Sequence, residues 1–232
     1  MEFTADGPRA IPLWINGHAY LSMGEALYDA VHPQTGAVTH RVPLCGATEA
    51  VQAVLAARTA QPKWAALGLN ARRNCLAALA DGLERYREHF ASLLRQEIAL
   101  DENEAAAEVA AAIAALRDTA VGETGIAGIV VDATRPLSAF AAAMTPALLA
   151  GATVVVKPSP KAPGAVFALC ELSARSHWPA GVLNLLQGDT AAIKGLCAAG
   201  IDRLIYRGDA ALGAEVAALA AAAGVVCLQQ TA

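Results

Sequence analysis

Hydrophobic and polar positions along the 232-residue chain follow three successive rhythms. From about Ile11 to Leu44 apolar and polar residues alternate, with turn signals at Asn16-Gly17-His18 and His32-Pro33-Gln34-Thr35-Gly36, and short strands or extended arms are expected there. The rhythm then becomes helical. Thr48 reads as the N-cap of a helix with Val51, Val54 and Leu55 on its apolar face and Pro62 closing it. Asn70 opens a second, longer helix in which Leu76, Leu79, Leu83, Phe90, Leu93 and Leu94 form one buried stripe. A third helix is expected over 102–117, almost all alanine, with Val109, Ile113 and Leu116 as its apolar side. After Gly122 come five short apolar runs, IAGIVVD, TVVVKP, VLNLLQ, RLIYRG and VVCLQQ, each separated from the next by a helical segment. Five strands alternating with four helices predict an α/β fold: a five-stranded parallel, Rossmann-like sheet with flanking helices, preceded by the short N-terminal strands and packed helices. The expected division is residues 1–120, an N-terminal arm and helices packing on the sheet, and residues 121–232, a Rossmann-like domain of cofactor-binding type, together one structural unit.

Composition narrows the function classes. Hydrophobic residues make up 56% of the chain against 16% charged, but much of that is alanine, which suits a compact, helix-rich protein. The 17 Lys and Arg are scattered within a net charge of -4, which argues against a nucleic-acid partner. The uncharged stretch Ser138 to Val156 has the length of a bilayer span, yet Pro146 and Gly151 interrupt it and valines fill its end, so helix-then-strand is expected and no membrane partner. The start MEFTADGPRA lacks the basic and apolar regions of a signal peptide, and a cytoplasmic location is expected. Cys45, Cys75, Cys170, Cys197 and Cys227 are odd in number and widely spaced without a C-x-x-C pair, so reduced, packed thiols are expected. Neither a disulfide framework nor a metal site is.

Ligands of parallel sheets sit beyond the carboxyl ends of the strands, where Lys157, Gly188 and Gly208 fall. The G-x-G-x-x-G fingerprint is missing after the first strand. Lys157 is either a ligand-holding ammonium or a solvated lysine at a strand end shaped by Pro158. Ser159, between two prolines, is also ordinary turn chemistry. Gly188 and Gly208 either let a ligand approach the backbone or only turn the chain.

The stretches WINGHAY, HPQTGAVTHRVPL, PKWAALGLNARRNCLAALADGL, PALLAGATVVVKPSPKAP, PAGVLNLLQGD and YRGDAALG, in that order, resemble the aldehyde dehydrogenase superfamily over nearly the whole chain. PALLAGATVVVKPS is the most specific of them. The resemblance implies NAD(P) as cofactor, with the strand-end Lys157 on the adenosine ribose, helped by Ser159 and by close approach at Gly188 and Gly208. It also implies a chemistry in which a cysteine thiolate attacks an aldehyde and a glutamate serves as general base.

Departures from the family pattern weaken that implication. Thr134 stands where the family has its oxyanion-binding asparagine, Pro160 where a ribose-binding glutamate is common, and Thr190 where a second glycine follows Gly188. Arg207-Gly208-Asp209 replaces the phosphate-facing Thr-Gly-Ser, and Gln229 replaces the general-base glutamate. The family's catalytic domain would follow Ala232, and its oligomerisation hairpin would fall near 119–125. No catalytic residue is therefore expected in this chain, and NAD(P) only with a weakened grip. The chain resembles the extra, non-catalytic module of two-module aldehyde dehydrogenases and long proline-utilisation enzymes. The expected role is a structural or regulatory partner of a full-length aldehyde dehydrogenase, or self-association. The alternatives are an NAD(P)- or adenosine-nucleotide-binding module, or half of a split enzyme acting in trans.

Overall fold

The computed structural model describes residues 8–22, 26–176 and 178–231. The acidic N-terminal stretch up to Gly7, His177 and Ala232 lie outside these. Along the described chain run β1 (Arg9–Ala10), β2 (Leu13–Ile15), β3 (His18–Tyr20), β4 (Leu27–Val31) and β5 (Val38–Pro43). The helices α1 (Ala47–Ala66), α2 (Leu69–Arg85), α3 (Arg87–Ile98) and α4 (Glu102–Leu116) follow. Then strands and helices alternate: β6 (Ile126–Val131), α5 (Pro136–Leu149), β7 (Thr153–Lys157), α6 (Gly164–Ala174), β8 (Leu183–Leu185), α7 (Thr190–Ala198), β9 (Arg203–Gly208), α8 (Ala210–Ala222) and β10 (Val226–Thr231).

The expected α/β fold is present. Among the described residues, the five expected strands pair in parallel in the order β10-β9-β6-β7-β8, and β2 and β3 extend the same sheet antiparallel beyond β8. A separate small sheet runs β1-β5-β4. The chain starts the parallel part of the large sheet at β6, builds outward through β7 and β8, then returns to the other side of β6 for β9 and β10. The connections therefore diverge between β6 and β9, the place at the carboxyl ends of the strands where sheets of this kind form a ligand crevice.

Each face of the sheet has its own core. Helices α1, α7 and α8 cover one face, with Val54, Ile193, Leu196, Tyr206 and Val216 among the buried residues. On the other face α5 and α6 pack directly, and α2, α3 and α4 form an outer layer over them, with Leu79, Leu83, Phe90, Phe140 and Met144 buried between. The segment Ser138–Val156 divides into helix and strand as expected, and no helix among the described residues is long and apolar enough to cross a membrane.

Two helical expectations are corrected. The first helix is capped at Gly46, whose N–H the Glu49 carboxylate accepts, and it runs through Pro62 to Ala66. It survives the proline because Trp64, fully buried, stacks on Trp178 and donates from Nε1 to the Leu148 carbonyl at 2.9 Å, which holds the last turn in place. Its buried face is Ala50, Ala53, Val54, Ala57, Ala60 and Trp64, whereas Val51 and Leu55 are 54% and 61% exposed. Small residues win that face because the neighbouring backbone comes so close: a Cβ at Gly181 would stand 2.6 Å from the Ala56 carbonyl oxygen. The second expected helix is two, α2 and α3, broken at Tyr86, yet its stripe of Leu76, Leu79, Leu83, Phe90 and Leu94 stays buried across the break.

A buried polar contact ties the outer layers to the turn after β7. Glu97 of α3 accepts the N–H of Gly164, the first residue of α6, at 2.7 Å, and His40 of β5 pairs through Nε2 with the Pro160 carbonyl at 3.3 Å. The His40 Nδ1 lies 3.8 Å from Glu97 Oε1, and Glu97 Oε2 is buried without a partner. Burial pushes the Glu97 carboxyl up to about 8 and lowers the His40 pKa.

Between the ordinary value of 4.5 and about 8, native Glu97 keeps a proton that the unfolded chain has lost, so its contribution to stability falls as pH rises through that window. Glu97→Gln removes the titration. Its stability relative to the parent chain, measured by urea unfolding, is expected to rise from pH 5 to pH 8, by at most about 1.4 kcal/mol per pH unit. A pH-independent difference would contradict the buried-acid assignment.

Candidate functional site

At the crevice between β6 and β9 the chain places a carboxylate of its own. Asp132, the residue after β6, is 7% exposed. Its Oδ1 accepts the Thr134 N–H at 2.8 Å, and its Oδ2 accepts the Asp209 N–H at 2.7 Å and the Thr134 hydroxyl at 3.1 Å. The Tyr206 hydroxyl donates to the Asp209 carbonyl at 2.9 Å, and burial, reinforced by Asp132 and Asp209, pushes its pKa up to about 12. Gly208, at φ +153°, lies directly against this group: a Cβ there would stand 2.4 Å from the Asp132 carboxylate. The close approach that demands glycine at 208 is therefore to the chain's own side chain.

The crossover helices carry the same feature at their N-termini. Asp209 caps α8 by accepting from Ala211 and Leu212, and Asp189 caps α7 by accepting from Ala191. Glu97 takes the first N–H of α6, and Glu108 takes the Ser138 N–H in the first turn of α5 at 2.8 Å together with the Ser138 hydroxyl at 2.7 Å. A helix N-terminus is a ready anion site through its free N–H groups and its dipole. Here all four crossover helices already hold a carboxyl group.

Lys157 ends β7, one strand from the crevice, and is 5% exposed. Desolvation lowers its pKa to about 8, with Asp189 opposing the shift. No hydrogen bond or ion pair to its ammonium occurs among the described residues. On the next strand end, Gln187 is fully buried; its amide NH₂ donates to the Pro12 carbonyl at 3.1 Å while its oxygen has no partner. Ser159 serves the turn after β7, its hydroxyl accepting from Lys161 N–H and its carbonyl from Ala162 N–H. Gly188, at φ +127°, packs against the Cys45 backbone, which a Cβ would meet at 3.0 Å. The sheet thus brings Lys157 and Gly188 to neighbouring strand ends, while Gly208 lies two strands from Lys157, across β6 and beside Asp132.

The thiols are all held in the protonated form. Burial pushes Cys45 up to about 12 and raises Cys170, Cys75, Cys197 and Cys227 as well.

The model of the aldehyde dehydrogenase family matches residues 20–135 and 123–230. The chain belongs to this family. It is 32% identical to the N-succinylglutamate 5-semialdehyde dehydrogenase of Chromohalobacter salexigens over 223 residues, which covers 86% of this chain and 44% of that protein. The enzyme of the same name from Caulobacter sp. strain K31 is 34% identical over 207 residues, covering 80% and 43%. The crystal structure of lactaldehyde dehydrogenase from Escherichia coli superposes with a TM-score of 0.89 at 25% identity, covering 97% of this chain and 52% of that one. The chain spans about half the length of the curated relatives it matches.

The residues around the sheet fit one part of the family's dinucleotide and not the other. The largely buried Lys157 ammonium and the unmatched amide oxygen of Gln187 have the chemistry to meet the hydroxyls of a ribose. The carboxylates of Asp132 and Asp209, with the capped helix ends, oppose a pyrophosphate. Sequence reasoning missed Asp132, although it stood in view as the polar residue closing the run IVVD. It missed Gln187 because nothing in VLNLLQ marks the glutamine as buried. Glu97 and Glu108 carried no local signal, since each looks like a solvated residue on a helix.

Gly208→Ala is expected to destabilise the chain by roughly 1–3 kcal/mol, from positive-φ strain and the collision with Asp132. If the carboxylate is the obstacle, the double variant with Asp132→Ala loses less than the sum of the two single changes in denaturant unfolding. Additive losses would show that backbone strain alone demands the glycine.

Proposed function

We propose that this chain is a non-catalytic aldehyde-dehydrogenase-like unit that acts as a structural or regulatory partner, bound to an active aldehyde dehydrogenase or to a second copy of itself. One observation carries the proposal: the carboxyl groups of Glu97, Glu108, Asp189 and Asp209 accept N–H groups at the starts of all four crossover helices, and Asp132 holds the Asp209 N–H beside them. In this arrangement donors at the helix starts that could receive the cofactor's phosphates are already taken. The protonated thiols point the same way, as does Gln229, whose amide has no useful basicity. Association is supported by β10, the outer strand of the large sheet among the described residues, where Val226 and Leu228 are 65% and 43% exposed.

Two measurements test this. With an aldehyde and NAD or NADP, the chain alone produces no NADH or NADPH by absorbance; production overturns the non-catalytic part. Sedimentation gives a mass above one chain, either alone or mixed with an active aldehyde dehydrogenase from its host, and Leu228→Lys at the exposed edge returns it to a single chain. A monomer in both settings removes the partner role.

A second reading rests on Lys157: the unit holds an adenosine nucleotide through the ribose without oxidising anything. A largely buried lysine whose ammonium makes no hydrogen bond or ion pair among the described residues supports it, because a ribose hydroxyl would supply an acceptor. Calorimetric titration with NAD, NADP and ATP then gives heat that Lys157→Met abolishes, while pyrophosphate alone gives none. A flat trace for all three nucleotides removes the reading. Lys157→Met also stabilises the apo chain at pH 7, by up to about 3 kcal/mol for a pKa depressed from 10.5 to about 8. That gain shrinks between pH 8 and 10.5, where the native amine has lost a proton that the unfolded chain still holds.

A further inference from the structure

A groove of about 350 Å³ lies where the chain turns from α2 into α3 over the end of α6. Because α6 leaves the carboxyl end of β7 and runs back along the sheet toward β8, its last turn lies at the far end from Lys157. The floor of the groove is apolar. Phe90 of α3 and Leu172 of α6 are 2% and 7% exposed, and Ala168 precedes Leu172 by one turn. Gly82 lets α2 come close here, since a Cβ at that position would stand 3.1 Å from Leu172 Cδ2. The break between α2 and α3 falls at Tyr86, whose half-exposed ring forms a wall.

Two opposite charges at the rim stay apart. Glu171 on α6 and Arg175 at its C-cap are one turn from each other, the spacing at which a carboxylate and a guanidinium ordinarily meet. Instead Arg175 Cζ lies over the Tyr86 ring, 5.9 Å from its centroid, and Nη1 donates to the Tyr86 hydroxyl at 3.4 Å. Glu171 has no hydrogen bond or ion pair among the described residues, and Arg175 has no acidic partner. His89 is turned to the floor, its ring edge-on to Phe90 with the centroids 5.9 Å apart.

We infer that this groove binds a free α-amino acid with an aromatic side chain, its carboxylate on Arg175, its ammonium on Glu171 and its ring on Phe90 and Leu172 beside Tyr86. One cation and one anion a helical turn apart match the two charges that a free amino acid carries on a single carbon. A simple monoanion or monocation would leave one of them unused. The rings of Tyr86 and Phe90 favour an aromatic body, which stacks edge-on or offset against such walls. Both rim charges are exposed, so each contact is of modest strength and an affinity in the micromolar to millimolar range is expected. The site uses none of the groups at the Lys157 strand end or at the helix starts, so it stands or fails apart from both readings above.

L-Phenylalanine is the probe, read by calorimetry and thermal unfolding on the full chain. Three controls each lack one group: phenylpropanoate the ammonium, phenylethylamine the carboxylate and glycine the ring. Phenylalanine is expected to give saturable heat and to raise the melting temperature, while each control binds weaker by roughly tenfold or more. Glu171→Gln weakens phenylalanine to a similar degree and leaves phenylpropanoate unchanged. Arg175→Gln weakens phenylalanine and leaves phenylethylamine unchanged. Ala168→Leu fills the floor and abolishes binding with both charges intact, and circular dichroism confirms that each variant is folded. Equal affinity for phenylalanine and phenylpropanoate, affinity undiminished in both charge variants, or no saturable heat at millimolar phenylalanine would overturn the assignment.

Discussion

The burial of β7 on both faces is the constraint on which the rest of the structure depends. Every residue of Thr153–Lys157 is buried, with α1 against one face and α5 against the other. A central parallel strand has no polar side, so its residues must be apolar or be matched inside the protein. Thr153 is matched, its hydroxyl donating to the Ala57 carbonyl at 3.0 Å. Lys157 is not, and its lowered pKa measures the cost of carrying a charge to the end of such a strand. The same demand explains the alanine face of α1, which must come close enough to seal β7 and β8, and the layer of α2, α3 and α4 that covers α5 and α6 in turn.

Electrostatics at the carboxyl ends of the strands follow from how those helices begin. A helix entering a parallel sheet presents unsatisfied N–H groups and the positive end of its dipole toward the crevice. In a phosphate-binding sheet a ligand satisfies them. In this chain Glu97, Glu108, Asp189 and Asp209 do so, and Asp132 fills the space between β6 and β9. The outcome is a set of satisfied helix starts and an acidic crevice. A carboxyl group that satisfies a helix start uses a donor that a phosphate would otherwise meet.

The fold was legible from the residues because its signals are local. Valine and isoleucine runs bounded by glycines mark the strands, and the leucine stripe of α2 and α3 survives even the break at Tyr86. The buried face of α1 was not legible: alanine is spread around the helix, so the larger Val51 and Leu55 drew the eye to a face that the structure exposes. Pro62 misled for a related reason, since the Trp64 anchor that holds the last turn acts across 84 residues of sequence. The site was less legible still. Glu97 meets Gly164 across 67 residues, Asp132 meets Asp209 across 77, and Glu108 meets Ser138 across 30. Spacing along the chain does not encode such pairs; only the sheet order does.

The segment Arg207-Gly208-Asp209 puts a base and an acid of one strand end to different uses. Side chains alternate across a strand, so Tyr206 enters the core beneath α8 while Arg207 points to the α4 and α5 side. Asp209, beyond the strand, turns back to cap α8. The acid and the base of this short segment therefore act on opposite faces of the sheet and do not neutralise each other. Against α8 the carboxylate satisfies the helix start, whereas against α5 the Arg207 guanidinium is half-buried and has no ion-pair partner among the described residues. A TM-score of 0.89 to a family enzyme at 25% identity is compatible with both uses, because the buried strand interiors set the fold and the residues just past their ends set what the fold can hold.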